Sequence, residues 1–289
     1  IGLGSHVEPH SRGLWQAANW EDYGFGGSAS GTYSYSIPRY GMYGSIVGGV
    51  QYENFVMTNA SLKLGSNYSE VFFYNNQIFY TKSEHTLSAF AQLKHNFTRR
   101  LIFNGGLRYD YKIRQDSRRL STLSPRISLI WLANSVVSLK AGYSHSFVDA
   151  PYFYRASELP FFSSGSDLEP EKMDAIQIGA SFKWEPIKLR YEVNLFCNSV
   201  VDLVYYNSEN VAFNSTSFSN TGKINMLGIE NVLQYTSDNT LANLNLTYQY
   251  PTRVENFSSD AHNVSNVPKF IANLTAAQRC INSKRAGQL

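Results

Sequence analysis

Between Leu107 and Arg114 ("LRYDYKIR") two patterns interleave: Leu107, Tyr109, Tyr111 and Ile113 are apolar or aromatic, and Arg108, Asp110, Lys112 and Arg114 are all charged. A period of two belongs to an extended chain, whose successive side chains point to opposite faces. The alternation returns along the chain. Val137, Leu139, Ala141 and Tyr143 oppose Ser138, Lys140, Gly142 and Ser144; Ile176, Ile178, Ala180, Phe182 and Trp184 oppose Gln177, Gly179, Ser181 and Lys183. Leu189, Tyr191, Val193 and Leu195 oppose Lys188, Arg190, Glu192 and Asn194, and Leu244, Leu246, Tyr248 and Tyr250 oppose Asn243, Asn245, Thr247 and Gln249. No helical period competes, and the pattern predicts roughly eleven strands.

Connections between these strands alternate in length. Thr98–Arg100, Leu132–Asn134, Glu185–Ile187 and Ser237–Thr240 are short; Gln115–Thr122, Val148–Glu171, Asn207–Ser219 and Arg253–Asn266 are long and polar. In an up-and-down sheet alternate connections lie at the same end. Tight turns at one end and long loops at the other are the asymmetry of outer-membrane barrels. Greek-key sandwiches mix the two. The expected fold is therefore all-β: an antiparallel up-and-down transmembrane β-barrel, spanned by this chain in part. Nearer the start, strands are expected at Ser28–Ile37 and Gly44–Met57, a long loop between Gly65 and Glu84, and loop before Ser28.

Composition supports the membrane reading. Charged residues are 16% and aromatics 15%, with 20 Tyr and 18 Phe, against roughly 25% charged in soluble domains. Tyr and Trp suit a membrane boundary, having an oily body and a polar tip. A net charge of +3 without a long basic tract excludes nucleic acid as an indicated partner. Two cysteines, Cys197 and Cys280, exclude a disulfide framework. Cys197 sits in an apolar alternation and reads as an inert wall residue.

The longest loop carries a resemblance. "SFVDAPYFYRASEL" (Ser146 to Leu159) followed by "DLEPEKMDAIQIGASFKW" (Asp167 to Trp184) resembles the barrel of TonB-dependent outer-membrane receptors, with Phe147 and Pro151 answering one box and Leu168, Pro170 and Glu171 the next. "LSAFAQLKHNFTRRLIFNGGLRYDY", "LSPRISLIW", "LFCNSVVDLVYY" and "NTGKINMLGIEN" resemble further strands of that family, in its order, from Leu87 to Asn273. The resemblance implies a receptor in the outer membrane of a Gram-negative bacterium that takes up a scarce nutrient. Lipid, a plug domain and TonB are the partners it implies for a full-length member, with an unidentified small-molecule ligand. Departures are the absence of a plug or TonB-pairing box, a start at Ile1 without initiator Met, and about half of the family's 22 strands. Residues 1–289 are accordingly expected to be a fragment or interrupted product, with 278–289 as a tail outside the barrel.

No sequence feature calls for a cofactor, a metal centre or catalysis. The six histidines (His6, His10, His85, His95, His145, His262) lack metal spacing, and no G-x-S-x-G elbow occurs. Pro151–Asp167 contains no histidine, where haem receptors of the resembling family carry a ligand, so a ferric siderophore-like complex or cobalamin is favoured over haem. Arg108, Arg126, Tyr152, Tyr154 and Arg155 are the candidate substrate-binding residues. Arg108, Asp110, Lys112, Arg114, Arg126, Lys140, Lys183, Lys188, Arg190 and Glu192 are expected to face the lumen, where they attract an anionic substrate or simply line a polar interior. Two alternatives stand beside this reading: a small self-contained porin-like barrel and a soluble carbohydrate-binding β-sandwich.

Overall fold

A computed structural model describes residues 14–66, 70–75, 77–78, 81–159, 162–163, 167–206, 218–255, 264 and 267–279. In chain order its elements are β1 (Leu14–Ile37), β2 (Met42–Ser66), β3 (Glu70–Asn75), β4 (Ser83–Asn96), β5 (Leu101–Ile113), β6 (Arg119–Leu132), β7 (Val137–Val148), α1 (Tyr152–Ala156), β8 (Glu158–Leu159), β9 (Phe162–Ser163), β10 (Glu171–Trp184), β11 (Leu189–Tyr206), β12 (Phe218–Thr236), β13 (Thr240–Glu255) and β14 (Phe270–Gln278). Eleven of these strands form one antiparallel meander in the order β1-β2-β4-β5-β6-β7-β10-β11-β12-β13-β14, with β3 paired at the side of β2. The sheet is not closed: β1 and β14 each have one partner among the described strands. A single meander is not a sandwich, so that alternative falls.

Each tight turn has a local chemical cause. Pro38 starts a 3-10 turn after β1, and Gly41 at φ 64° ends it in the left-handed region that glycine enters without steric cost. After β4, Thr98 Oγ1 accepts from the amides of Arg100 and Leu101 at 3.1 and 3.0 Å. Asn134 Oδ1 does the same for Val136 and Val137, both at 2.8 Å. Glu185–Ile187 forms a second 3-10 turn capped by Lys188 at φ 53°. All lie at one end of the sheet, which we call the turn end; the other is the loop end.

Four expectations are corrected. Residues before Ser28 are strand: Leu14–Gly27 continue β1 against Tyr52–Ser66 of β2, with a bulge at Glu21/Asp22. The glycines that read as loop fit the ladder, because a Cβ on Gly26 would stand 2.7 Å from the Tyr52 carbonyl oxygen. Gly65–Glu84 is not all loop, since β3 pairs with Leu62–Ser66. Gln115–Thr122 is not a long connection either. Arg114 and Arg118 close a five-residue turn by a 2.9 Å backbone hydrogen bond, Ser117 takes φ 68°, and Arg119–Thr122 pair with Asp110–Ile113. Lys188 sits in a turn beside Asp238 at 3.2 Å rather than on the lumen wall. Of the expected tail, Gln278 ends β14 and 280–289 lie outside the described residues.

Burial within the wall is inside out. On β5, Leu107 and Tyr109 are 48% and 44% exposed while Asp110, and Arg114 just past the strand's end, are 6% and 1% exposed. Leu123, Ile127, Leu129, Trp131, Ile176, Ile178, Leu195 and Leu227 are likewise exposed. A wall with its apolar face outward is stable only when lipid covers that face. At about 3.3 Å per residue and a tilt near 45°, 13–14-residue strands such as β4 and β5 match a hydrocarbon core of about 30 Å. The β1–β2 hairpin runs on past this height. There, beyond Val56, the last β2 residue paired with β4, packing takes the ordinary sense: Met57, Ala60, Leu62 and Ile78 are buried together.

Candidate functional site

At the loop end the segment after β7 turns back over the wall. Pro151 sets the extended N-cap of α1, whose single turn is closed by hydrogen bonds from Tyr154 N to Pro151 O (2.9 Å) and from Ser157 N to Phe153 O (3.2 Å). That turn buries Arg155 and Ala156 and spreads three aromatic rings sideways. Tyr152 meets Phe55 of β2 with ring centroids 5.4 Å apart, and Tyr154 stacks on Phe218 of β12 at 4.2 Å. Phe153 packs against both clusters, the one on β2 and the one formed by Ala150, Leu168 and Phe218. The segment thus bridges the mouth from β2 to β12.

Beneath it lies an ion network drawn from three parts of the chain. Arg155 donates to Glu84 Oε1 at 2.6 Å and Oε2 at 3.1 Å, to Gln115 Oε1 at 2.6 Å and to the Ala150 carbonyl at 2.6 Å. Lys112 bridges Glu84 at 2.8 Å and Asp149 at 2.7 Å. Arg114 pairs with Asp149 and donates to the Leu168 carbonyl at 2.6 Å. Burial by itself raises the Asp149 carboxyl, but the Arg114 hydrogen bond and the charges of Arg155 and Lys112 outweigh it and hold the group below its ordinary 3.8. Arg155 shows the converse balance. Burial works against its charge, and Glu84 and Asp149 more than restore it. Burial and the nearby Glu84 push the Tyr152 hydroxyl up to about 12, so it stays protonated and able to donate.

The network floors a recess of about 590 Å³ lined by Phe25, Glu53, Phe55, Thr86, Tyr152 and Arg155 among others. That volume and mix of aromatic and polar groups suit one small solute. Of the residues singled out from sequence, Tyr152 and Arg155 meet here. Arg155, 4% exposed, is engaged by Glu84, and Tyr154 is committed to the Phe218 stack. Arg108 lies deeper on β5, held by Asp110 at 2.8 Å and donating to Gln51 at 3.1 Å and Ser88 at 2.8 Å. Arg126 lies in a separate recess on the wall. Sequence reasoning missed Glu84 and Asp149. Asp149 adjoins the motif at Pro151, whereas Glu84 is distinguished only by standing at the loop end of the strand beside β5. Among the described residues no group of three His, Cys, Asp or Glu side chains is arranged to hold a metal ion.

One meandering sheet with an oily outer face, a charged inner face, tight turns at one end and an in-folded loop at the other defines an outer-membrane β-barrel wall. The chain belongs to the TonB-dependent receptor family: the family's β-barrel model, described as TonB dependent receptor-like, beta-barrel, matches residues 5–279. The fold is shared with the ferripyoverdine receptor of the outer membrane of Pseudomonas aeruginosa bound to ferripyoverdine (TM-score 0.69, 14% identity, 93% of this chain and 37% of that one). It is also shared with the copper transporter OprC (0.67, 19%, 90% and 41%) and the RagAB peptide transporter (0.58, 13%, 88% and 32%). The chain therefore spans well under half of these structures' length. No curated protein matches. Members of the family are transporters of the Gram-negative outer membrane rather than enzymes.

Proposed function

We propose that this chain forms the ligand-capturing half of an outer-membrane receptor that imports a scarce small nutrient, with a ferric siderophore-like complex or cobalamin favoured over haem. The observation that carries the reading is the loop-end recess. It faces the side of long loops, is sized for one small molecule, and offers an aromatic ring from Tyr152 over a charged floor. Similar structures that bind or carry ferripyoverdine, copper or peptides support uptake without choosing the cargo.

A self-contained porin-like barrel is the weaker reading. With eleven strands in the meander, β1 and β14 run in the same direction, so closing the sheet on itself would set parallel strands side by side. Left open in lipid, those edges would expose backbone groups at several kcal/mol each. Further strands that begin and end in the opposite direction satisfy both edges, and a plug and TonB would supply gating and energy in the complete receptor.

Uptake in the source cells tests this. Deleting the gene should abolish accumulation of one labelled ligand from a panel of ferric siderophores and cobalamin. The intact gene should restore it, and a Tyr152→Ala copy should raise the half-saturating concentration. Unchanged uptake of every ligand after deletion would reject the proposal.

A further inference from the structure

Three cations on the inner wall stand apart from the rest. Lys94 on β4, Arg126 on β6 and Lys140 on β7 line one side of the sheet around Asn104 and Ser128: Lys94 is registered with Asn104, Asn104 with Ser128, and Arg126 with Gly106. Asn104 donates to Ser128 at 3.3 Å, which leaves the centre of the group neutral and polar. These residues share a recess of about 710 Å³ whose described lining contains no aspartate or glutamate. Arg108, Lys112, Lys183 and Arg190, also inward, each have a carboxylate within ion-pair distance. Lys94, Arg126 and Lys140 have none among the described residues.

The backbone makes room for the group. Gly106 faces inward beside Arg126, whose Cγ lies 3.1 Å from where a Gly106 Cβ would stand, so the arginine stem rests flat on β5 and its charge stays near the wall. Across the recess Gln177 lies over Gly142 in the same way, at 3.3 Å. Unpaired like charges held together on a low-dielectric wall create a strong positive potential, and a wetted recess concentrates anions there.

We infer that this mid-wall recess is an anion subsite, separate from the loop-end recess, for a small solute carrying two or more phosphate or carboxylate charges on its way through the lumen. It goes beyond the uptake reading and needs only that water reaches the inner wall.

Thiol labelling in isolated outer membranes tests it without knowledge of the natural cargo. In the full chain with Cys197→Ser and Cys280→Ser, a Ser128→Cys thiol should react about ten-fold faster with an anionic methanethiosulfonate than with a cationic one of similar size. Inorganic pyrophosphate should slow the anionic reaction, and Lys94→Gln, Arg126→Gln and Lys140→Gln together should remove both the preference and the protection. Lys172→Gln, which removes a half-buried cation paired with Asp202, should leave both intact, and heat-modified gel mobility should show every variant folded. Equal rates for the two reagents, protection that survives neutralisation, or a thiol that neither reagent reaches would each overturn the subsite. Unchanged uptake of every ligand after gene deletion, with this labelling pattern intact in the isolated membranes, would instead count against the uptake reading alone.

Discussion

At the loop end, Arg155 meets Glu84 at 2.6 Å and Lys112 bridges Glu84 and Asp149, so that each charge is neutralised by a neighbour from elsewhere in the chain. Further down the same wall Lys94, Arg126 and Lys140 share a recess with no carboxylate in its described lining. Both sets lie on the inner side of the same sheet. The first set is buried or half-buried and holds a segment in place; the second is exposed and, among the described residues, holds nothing. Charge on a barrel's inner face thus has two separable uses, and pairing tells them apart. A buried ion must be paired to be tolerated, whereas an exposed one is solvated and can remain available.

The sharpest way to break the contrast is Arg155→Ala. It leaves Glu84, 5% exposed, with Lys112 as its one remaining cation among the described residues, and should loosen the mouth by about 3 kcal/mol, the low end for breaking a buried pair. Hydrogen exchange at Tyr152–Ala156 should then accelerate by about a hundred-fold, while the strand amides of β6 and β7 keep their protection.

A smaller effect is expected in the wall itself. Phe196 lies across the inward face of Gly228, in the space a Cβ would take. Gly228→Val should therefore displace the ring and cost about 1–3 kcal/mol, seen as a lower midpoint of heat-modified gel mobility. An unchanged midpoint would mean the ring is free to swing into the lumen.

Acidification separates the two regions again. Because Asp149 titrates below 3.8 when folded, its contribution is complete above that value and disappears as pH falls through the depressed folded pKa. Protection at residues 150–156 should persist down to pH 3.8 and fail below it. The recess around Arg126 has no carboxylate in its described lining, so thiol reactivity at Ser128→Cys should not follow that transition. Onset of mouth opening near pH 5 would contradict the ion network as its latch.

The smallest effect belongs to the unpaired cations. Lys94→Gln, Arg126→Gln or Lys140→Gln should each change stability by no more than about 0.5 kcal/mol by chemical denaturation, because each removes an exposed charge with no ion-pair partner among the described residues. A loss comparable to that of Arg155→Ala would show that these charges are structural.

Much of the wall was legible in advance. The alternation at Leu107–Ile113 identified both the strand and its two faces, and Thr98 and Asn134 mark turns through hydrogen bonds that span a few residues. Leu14–Gly27 escaped because glycine-rich sequence lacks side-chain alternation, although its backbone pairs as well as any other. Arg119–Thr122 escaped because polarity at the loop end of a strand resembles polarity in a loop. Arg155 and Tyr152 were picked out within their loop, but nothing local says that Arg155 ends against Glu84, 71 positions away.

Local periodicity settled that this chain makes a two-faced sheet, because side-chain direction in a strand depends only on its own backbone. The family pattern in the loops settled which sheet it is. Which face is buried, which cations find carboxylates and which are left open depended on strands and a loop meeting across the wall. Only the tertiary structure decides these, because burial and ion pairing are properties of neighbours in space, and most of those neighbours are far apart in the chain.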